Sequence, residues 1–222
     1  MKPLSIFLVR HGESVGNVDK SIYTHTPDWK VPLTEKGIQQ AIAVGHTLAP
    51  LIRQNYNTYK NNLFTYYCSP WYRARQTAVH LKQTLDSIYK VETTVLREDP
   101  RIREQEWGNF QEEHLQKKIK EDRHRYGSFF YRMPHGESGA DAYDRITTFI
   151  DTMYRDFEKH DFPANAIIIS HGLAIKVFLM RWFHWTVEDF DSYDTPDNCC
   201  IIQMDLQEDN RYKLMTELKK YS

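Results

Sequence analysis

The sequence has little cysteine, no excess of charge of either sign and no long apolar run. Its three cysteines, Cys68, Cys199 and Cys200, have no metal-type spacing, so we expect free thiols in a reducing compartment, not a disulfide framework. The 29 basic and 30 acidic side chains give a formal net charge of -1. This balance does not point to nucleic acid or an anionic membrane as a partner, so any anion site must be local.

No apolar stretch approaches the length of about 20 residues that spans a bilayer. The residues before the first apolar run leave no room for a signal peptide, and we therefore expect a cytoplasmic protein with no membrane segment. A chain of 222 residues can bury a sizeable core. We predict one domain over residues 1–222.

The chain begins with a short apolar run that ends abruptly in polar residues. Residues 4–9 lack alternation, which is typical of a strand buried on both faces. Arg10, His11 and Gly12 follow without a spacer, and Asn17 comes one short loop later. In open α/β sheets the ligand crevice lies beyond the carboxyl ends of the strands. We therefore expect His11 at the mouth of a site, with Gly12 letting the backbone come close.

A second buried run has the same organisation. Residues 166–169 predict a strand, and Ser170, His171 and Gly172 follow it directly. Two histidines at the carboxyl ends of two buried strands are much less expected by chance than one. The tetrapeptide at 135–138 also repeats that at 11–14, but no buried strand precedes it. We interpret that repeat as coincidence, with Ser138 and Asp141 forming a capping box for the next helix.

Two further strands are predicted between these runs, at residues 63–67 and 91–96. After the first, Ser69 and a proline suit the start of a helix, with the hydroxyl as cap. Arg73 and Arg75 then lie in the first turns, where the helix dipole disfavours a cation. Either these arginines are solvated, or they bind an anion together with free backbone N–H groups.

The second of these strands leads into a charged, aromatic loop closed by Gly108. Glu104 and Glu106 are both candidate proton donors there, and their chemistry alone does not choose between them. The most basic stretch follows, at about residues 111–137. It is either a solvated helical excursion or a lid whose Arg123 and Arg132 contact an anionic substrate. Residues 199–206 and 212–218 are expected to form a closing hairpin.

The candidate site combines cations, imidazoles, an amide and a carboxylate. Its members are Arg10, His11, Asn17, Arg73, Glu104 and His171. Two histidines and a carboxylate also suit a metal triad, but two arginines would repel a divalent cation. Arginine forks instead suit an oxyanion such as phosphate.

A neutral imidazole can attack phosphorus and form a phosphohistidine. The attacking nitrogen of His11 must be unprotonated, so its other ring nitrogen is expected to donate to a backbone carbonyl. Arg10, Arg73, Asn17 and a protonated His171 would hold the phosphate oxygens. A carboxylic acid would then protonate the leaving alkoxide.

These motifs, in this order, resemble the histidine phosphatase superfamily, in its phosphoglycerate mutase-like branch. Residues 10–17 resemble the nucleophile loop, and residues 69–78 are similar to the second signature, with Arg73 at the phosphate-binding position. Residues 170–172 are similar to the second-histidine motif. The remaining motif, at 102–108, selects Glu104 as the proton donor, four residues before Gly108.

The resemblance implies a three-layer α/β/α sandwich with a mostly parallel central sheet, in which residues 111–137 form a small helical cap. It implies no metal or organic cofactor, and a small phosphorylated substrate. The activity expected first is a phosphatase, in which water hydrolyses phosphorylated His11. The substrate and the oligomeric state stay open.

The sequence leaves two alternatives to a phosphatase open. A phosphoglycerate mutase would return the phosphoryl group to another hydroxyl of a bound acid. Classical mutases carry an adjacent arginine pair after the proton donor, whereas this chain has Arg132 alone and an Arg-His-Arg run at 123–125. A non-catalytic binding or scaffold protein on the same fold is the other alternative. The joint presence of five residues argues against it, namely Arg10, His11, Arg73, Glu104 and His171.

Overall fold

A computed structural model describes residues 1–52, 63–90, 95–108 and 113–221 of the protein. Its strands are β1 (Ser5–Arg10), β2 (Phe64–Cys68), β3 (Leu96–Glu98), β4 (Asn165–Ser170), β5 (Ile201–Leu206) and β6 (Tyr212–Leu214). They form one sheet in the order β3-β2-β4-β1-β5-β6. The four strands from β3 to β1 are parallel, and β5 and β6 are antiparallel to their neighbours. The predicted mostly parallel sheet is thereby confirmed.

Helices connect the strands and cover both faces of the sheet. They are α1 (Val15–Val18), α2 (Glu35–Leu48), α3 (Tyr72–Tyr89), α4 (Glu113–Tyr126), α5 (Gly139–Phe157), α6 (Gly172–Phe183) and α7 (Val187–Ser192). The hydroxyl of Thr34 caps α2, and Ser138 with Asp141 forms the expected capping box of α5. In the described part of the chain, no helix is both long and apolar enough to cross a membrane.

The alternating side chains of β1 separate two hydrophobic cores. Ile6 and Leu8 pack on one face with residues of α5 and α6. Phe7 and Val9 pack on the other face with residues of α2 and α3. All four side chains are fully buried, and burial of each contributes about 1.5–3 kcal/mol. This two-sided burial explains why β1 has no polar alternation, and it confirms the three-layer α/β/α architecture.

Some predicted boundaries differ from the structure. The strand expected at 91–96 is β3, Leu96–Glu98, and residues 91–94 lie outside the described residues. The closing hairpin begins at Ile201, not at Cys199. Cys199 has a φ of 58° and its N–H points back to the carbonyls of Arg10 and His11, so the chain turns there before β5 begins.

The predicted cap at about 111–137 contains helix α4, Glu113–Tyr126, although residues 109–112 lie outside the described part. Helix α4 contacts the turn Lys20–Thr24, on the polar loop that follows β1. The role of this segment as a lid stays a prediction, as do the bounds of a single domain over residues 1–222.

Candidate active site

The carboxyl ends of the four parallel strands meet at one edge of the sheet, as the sequence predicts. Arg10 at the end of β1 pairs with Ser170 at the end of β4, so His11 and His171 follow side by side with ring centroids 5.1 Å apart. A cavity of about 1040 Å³ opens above them. Five of the predicted site residues line it: Arg10, His11, Asn17, Arg73 and Glu104.

Hydrogen bonds at both ring nitrogens fix the orientation of His11. Its Nδ1 donates to the carbonyl of Gly12 at 2.7 Å, which is the backbone bond expected from the sequence. Its Nε2 accepts from Nε of Arg73 at 3.2 Å and is therefore unprotonated. Burial, together with the charges of Arg73 and Arg10, lowers the pKa of His11 well below its ordinary value. The imidazole is thus neutral, with its lone pair on Nε2.

Arg73 is only 4% exposed, and residues outside its own helix hold it. Its Nη1 donates to both the carbonyl and the carboxylate of Asp28, each at 2.8 Å, and its guanidinium lies 4.7 Å from the ring centroid of Trp71. Burial raises the pKa of Asp28, although the Arg73 charge opposes that shift. The sequence offered no signal for Asp28, because it lies in a short 3-10 turn, Asp28–Lys30, far from Arg73 along the chain.

Arg10 reaches the cavity from the end of β1. Its Nη1 donates to the carbonyl of Pro196 at 2.6 Å, while its buried Nε has no hydrogen-bond partner in the described part of the chain. By contrast, Arg75 lies on the rim, half-exposed, and forms an ion pair with Glu98 at 3.0 Å. Of the two arginines predicted at the start of the helix, Arg73 alone is buried beside His11.

His171 is fully buried and lies against the edge of the Trp71 ring. Burial and the Arg73 charge lower its pKa well below the ordinary value, which favours the neutral imidazole. This shift opposes the protonated His171 expected from the sequence, and the charge of the ring beside a bound phosphate stays a prediction. The sequence could not show that two arginines and complete burial would oppose a third positive charge.

Ser69 orients the ring of His171, a function that the sequence did not predict. The Oγ of Ser69 lies 2.7 Å from Nε2 of His171 and accepts from the N–H of Trp71 at 3.3 Å. The direction of this hydrogen bond depends on the tautomer of His171, since a hydroxyl can both donate and accept. As the donor to Nε2, Ser69 leaves the ring proton on Nδ1. The Nδ1 atom has no partner among the described residues. Ser69 is not the cap of α3, since Trp71 occupies that position.

Glu104 lies at the amino end of α6. Its two carboxylate oxygens accept from the backbone N–H groups of Leu173 and Ala174 at 3.3 and 3.2 Å. Glu106 also lines the cavity, but it is exposed and pairs with Arg103 at 3.1 Å. The structure therefore places Glu104 deeper in the cavity than Glu106 and holds it at the amino terminus of α6.

Arg145 fixes the backbone of the segment that carries Glu104. Its guanidinium donates to the carbonyls of Arg101, Arg103 and Glu104 at 2.6, 2.9 and 3.1 Å. Both carboxylate oxygens of Glu137 hold the same guanidinium, at 3.0 and 2.9 Å. This contact gives a structural role to the repeated tetrapeptide at 135–138. The sequence could not reveal it, since Arg145 is one charged residue on an ordinary amphipathic helix.

Asn17 and Gly12 have different surroundings. The Oδ1 of Asn17 accepts from the N–H of Ser14 at 2.9 Å and from Asn198 at 3.3 Å, which leaves its amide N–H₂ as a donor in the cavity wall. The N–H of Gly12 instead donates to Thr77 at 3.0 Å. A Cβ at Gly12 would lie 2.5 Å from a backbone oxygen of α2, so this position supports the close approach expected of the glycine and does not face the cavity.

The two arginines predicted to touch substrate from the cap lie in different places. The guanidinium of Arg123 is 5.4 Å from the ring centroid of Trp107, which lines the cavity. Arg132 has a side chain that is 62% exposed and pairs with Asp141 at 2.7 Å. The structure therefore brings Arg123 towards the site and leaves Arg132 outside it.

The fold and these side chains together define an α/β protein in which two arginines and a histidine line a cavity at the carboxyl ends of the parallel strands. The sequence matches the model of the histidine phosphatase superfamily (branch 1) over residues 6–217, and the chain belongs to that superfamily. The resemblance inferred from the motifs is therefore confirmed.

The relatives of this chain include proteins named as a phosphatase and as mutase-like. The chain is 42% identical over 218 residues to the phosphoglycerate mutase-like protein AT74 of Arabidopsis thaliana, covering 96% of this chain and 68% of that protein. It is 28% identical to the broad-range acid phosphatase DET1 of Saccharomyces cerevisiae, covering 100% and 91% of the two chains. A structure of mycobacterial glucosyl-3-phosphoglycerate phosphatase with VO3 superposes with a TM-score of 0.70, at 22% identity, covering 97% and 99%. This last likeness concerns the fold.

Proposed function

We propose that the protein is a phosphomonoester hydrolase that forms a phosphohistidine on His11. One observation carries the proposal: the neutral ring of His11 presents an unprotonated Nε2 directly beside the buried guanidinium of Arg73. The nucleophile and the guanidinium that would bind the phosphoryl oxygens are thus adjacent, and both side chains are almost fully buried. A small phosphorylated molecule is the proposed substrate.

In the first step, the Nε–H of Arg73 turns from Nε2 of His11 to a phosphoryl oxygen. The freed Nε2 attacks phosphorus, and the bond from phosphorus to the ester oxygen breaks. Arg10, Arg73 and the amide of Asn17 donate to the phosphoryl oxygens. A neutral His171 donates through Nδ1–H, so it contributes without carrying a charge. Glu104, in its acid form, gives its proton to the departing alkoxide.

In the second step, water attacks the phosphoryl group on His11. The carboxylate of Glu104 now accepts a proton from that water, the bond from phosphorus to Nε2 breaks, and inorganic phosphate leaves. The same carboxyl group therefore serves as acid and then as base. The two arginines supply the charge stabilisation, so the proposed reaction requires no metal.

The names of the relatives leave a mutase as the second candidate, since the Arabidopsis protein is called phosphoglycerate mutase-like. The position of Arg132 favours the hydrolase, because this arginine pairs with Asp141 and offers no cation to a substrate carboxylate. The assembly of His11, Arg73, Glu104 and their partners around one cavity argues against a non-catalytic scaffold. A cytoplasmic location stays a prediction from the sequence.

The test is hydrolysis of p-nitrophenyl phosphate in EDTA by the intact protein, by His11→Ala and by His46→Ala, an exposed histidine of α2. We expect activity that survives EDTA, vanishes in His11→Ala and persists in His46→Ala. Isomerisation of 3-phosphoglycerate is measured in parallel. Isomerisation far above hydrolysis would establish the mutase instead, and activity lost to EDTA would refute metal independence.

A further inference from the structure

Aromatic side chains line the cavity beyond its phosphate end. Tyr23, Trp29, Trp71 and Trp107 all contribute to the wall. Trp71 is buried against His171 and Arg73 and belongs to the phosphate end. Trp29 differs from it, since this indole lines the cavity and is 52% exposed. A large ring held open to solvent at a catalytic cavity needs a physical reason, because burial of that ring would be favourable.

Trp29 is fixed relative to the phosphate site. The residue before it, Asp28, binds the Arg73 guanidinium through both its carbonyl and its carboxylate. The ammonium of Lys30 lies over the Trp29 ring, 4.9 Å from the centroid. This cation restrains the indole from one face. Any movement of the Trp29 segment would disturb Arg73, so the indole is a preorganised wall.

A second indole, that of Trp107, lies on the segment that carries Glu104, the proposed acid. Trp107 follows Glu104 by three residues and lines the same cavity. The guanidinium of Arg123 lies 5.4 Å from its ring centroid. The phenol of Tyr23 adds a further ring to the wall, and burial raises its pKa to about 12, so it stays uncharged. The region that would receive the leaving group is therefore aromatic next to both the phosphate clamp and the acid.

We infer that the preferred substrates are phosphomonoesters whose leaving group carries a planar ring, and that Trp29 determines this preference by stacking on it. The inference rests on the proposed hydrolase activity and names the substrate class for it. Stacking of two aromatic rings raises a binding constant about fivefold beyond the contribution of the buried area. A flat leaving group is therefore favoured over a saturated one of equal size.

The test compares benzyl phosphate with cyclohexylmethyl phosphate. Both release a primary alcohol with the same number of carbon atoms, and they differ in whether the ring is flat. We expect kcat/KM of the intact protein to be about fivefold higher for the benzyl ester. Trp29→Leu should remove this preference, whereas Trp29→Phe should keep most of it. Tyr72→Leu is the matched control, since Tyr72 is an exposed aromatic residue at the start of α3, outside the cavity lining.

Inhibition by benzylphosphonate and cyclohexylmethylphosphonate gives a second measurement that does not depend on turnover. The same ratio of inhibition constants, lost only in Trp29→Leu, supports the inference. Equal constants for flat and saturated rings in the intact protein overturn it while the hydrolase activity stands. Failure to hydrolyse either ester, with no phosphoryl group trapped on His11, overturns the proposed function as well.

Discussion

The Nε–H of Arg73 donates to Nε2 of His11 across 3.2 Å. The residue proposed to bind phosphate thus also selects the tautomer of the proposed nucleophile. Its hydrogen bond occupies the lone pair of Nε2, and its charge opposes protonation of the ring. The contact therefore keeps Nε2 unprotonated until the guanidinium turns to a phosphoryl oxygen and frees the lone pair.

Both histidines are expected to stay neutral in mildly acidic solution. Burial and the neighbouring arginines lower the pKa values of His11 and His171 well below the ordinary value. In ¹⁵N-histidine NMR of the ligand-free protein, neither ring should take up a proton as the pH falls from about 7.5 to about 5.5. His11→Asn and His171→Asn assign the signals. Protonation of either ring near pH 6.5 would contradict the proposed electrostatics.

The same shifts predict that stability decreases in acid. The unfolded chain binds protons at these histidines below about pH 6.5 and the folded chain does not, so the free energy of unfolding falls with pH. Between about pH 6.5 and about pH 5.5, each histidine should cost about 1 kcal/mol. Urea denaturation at the two values should show His171→Asn losing about 1 kcal/mol less than the intact protein. Equal losses would show that His171 does not stay neutral.

Arg73→Lys should lower kcat/KM by about a hundredfold. Lysine keeps the positive charge but lacks the planar fork that reaches Asp28 and His11 together. The matched control is Arg75→Lys, two residues further along α3, because Arg75 lies on the rim and pairs with Glu98. We expect Arg75→Lys to change kcat/KM by less than about twofold. Similar losses in both variants would place the anion site on the rim.

Arg145→Lys should reduce kcat about tenfold while leaving KM and vanadate binding unchanged. A lysine cannot hold three carbonyls and both oxygens of Glu137 at once, so the backbone of Glu104 would lose its position. Steady-state kinetics and vanadate titration separate this positioning effect from loss of the phosphate site. Arg101→Lys is the control on the same segment, since Arg101 binds Asp99 and Thr148. Weakened vanadate binding in Arg145→Lys would indicate a general loss of structure.

Arg123→Ala should raise KM for phosphorylated acids about fivefold, and more than it raises KM for a neutral aryl phosphate. Arg123 lies beside a cavity residue and its guanidinium is largely buried, so its charge acts at short range. Arg132→Ala is the matched variant within the cap and should leave both KM values near those of the intact protein, because Arg132 is exposed and paired with Asp141. Equal effects of the two substitutions would contradict the arrangement of the cap.

The local pattern of the chain determined where the strands lie and which histidines follow them. A strand buried on both faces needs a run of apolar residues without alternation, and residues 4–9 and 166–169 carry that run. Parallel strands place their carboxyl ends at one edge, so His11 and His171 were predictable neighbours. The roles of Arg73 and Glu104 were predicted from the order of the motifs and their resemblance to a family, and not from hydrophobic periodicity.

Only the tertiary structure decided how these groups are held. The contacts of Asp28 with Arg73, of Ser69 with His171 and of Arg145 with Glu104 join segments that are distant along the chain. The neutral state of His171 depends on its complete burial beside Arg73, and the outward position of Arg132 depends on Asp141. Local sequence patterns report backbone preference and apolar faces. Charge states and hydrogen-bond partners depend on which distant side chains share a low-dielectric space, and that is established only when the sheet and its helices have assembled.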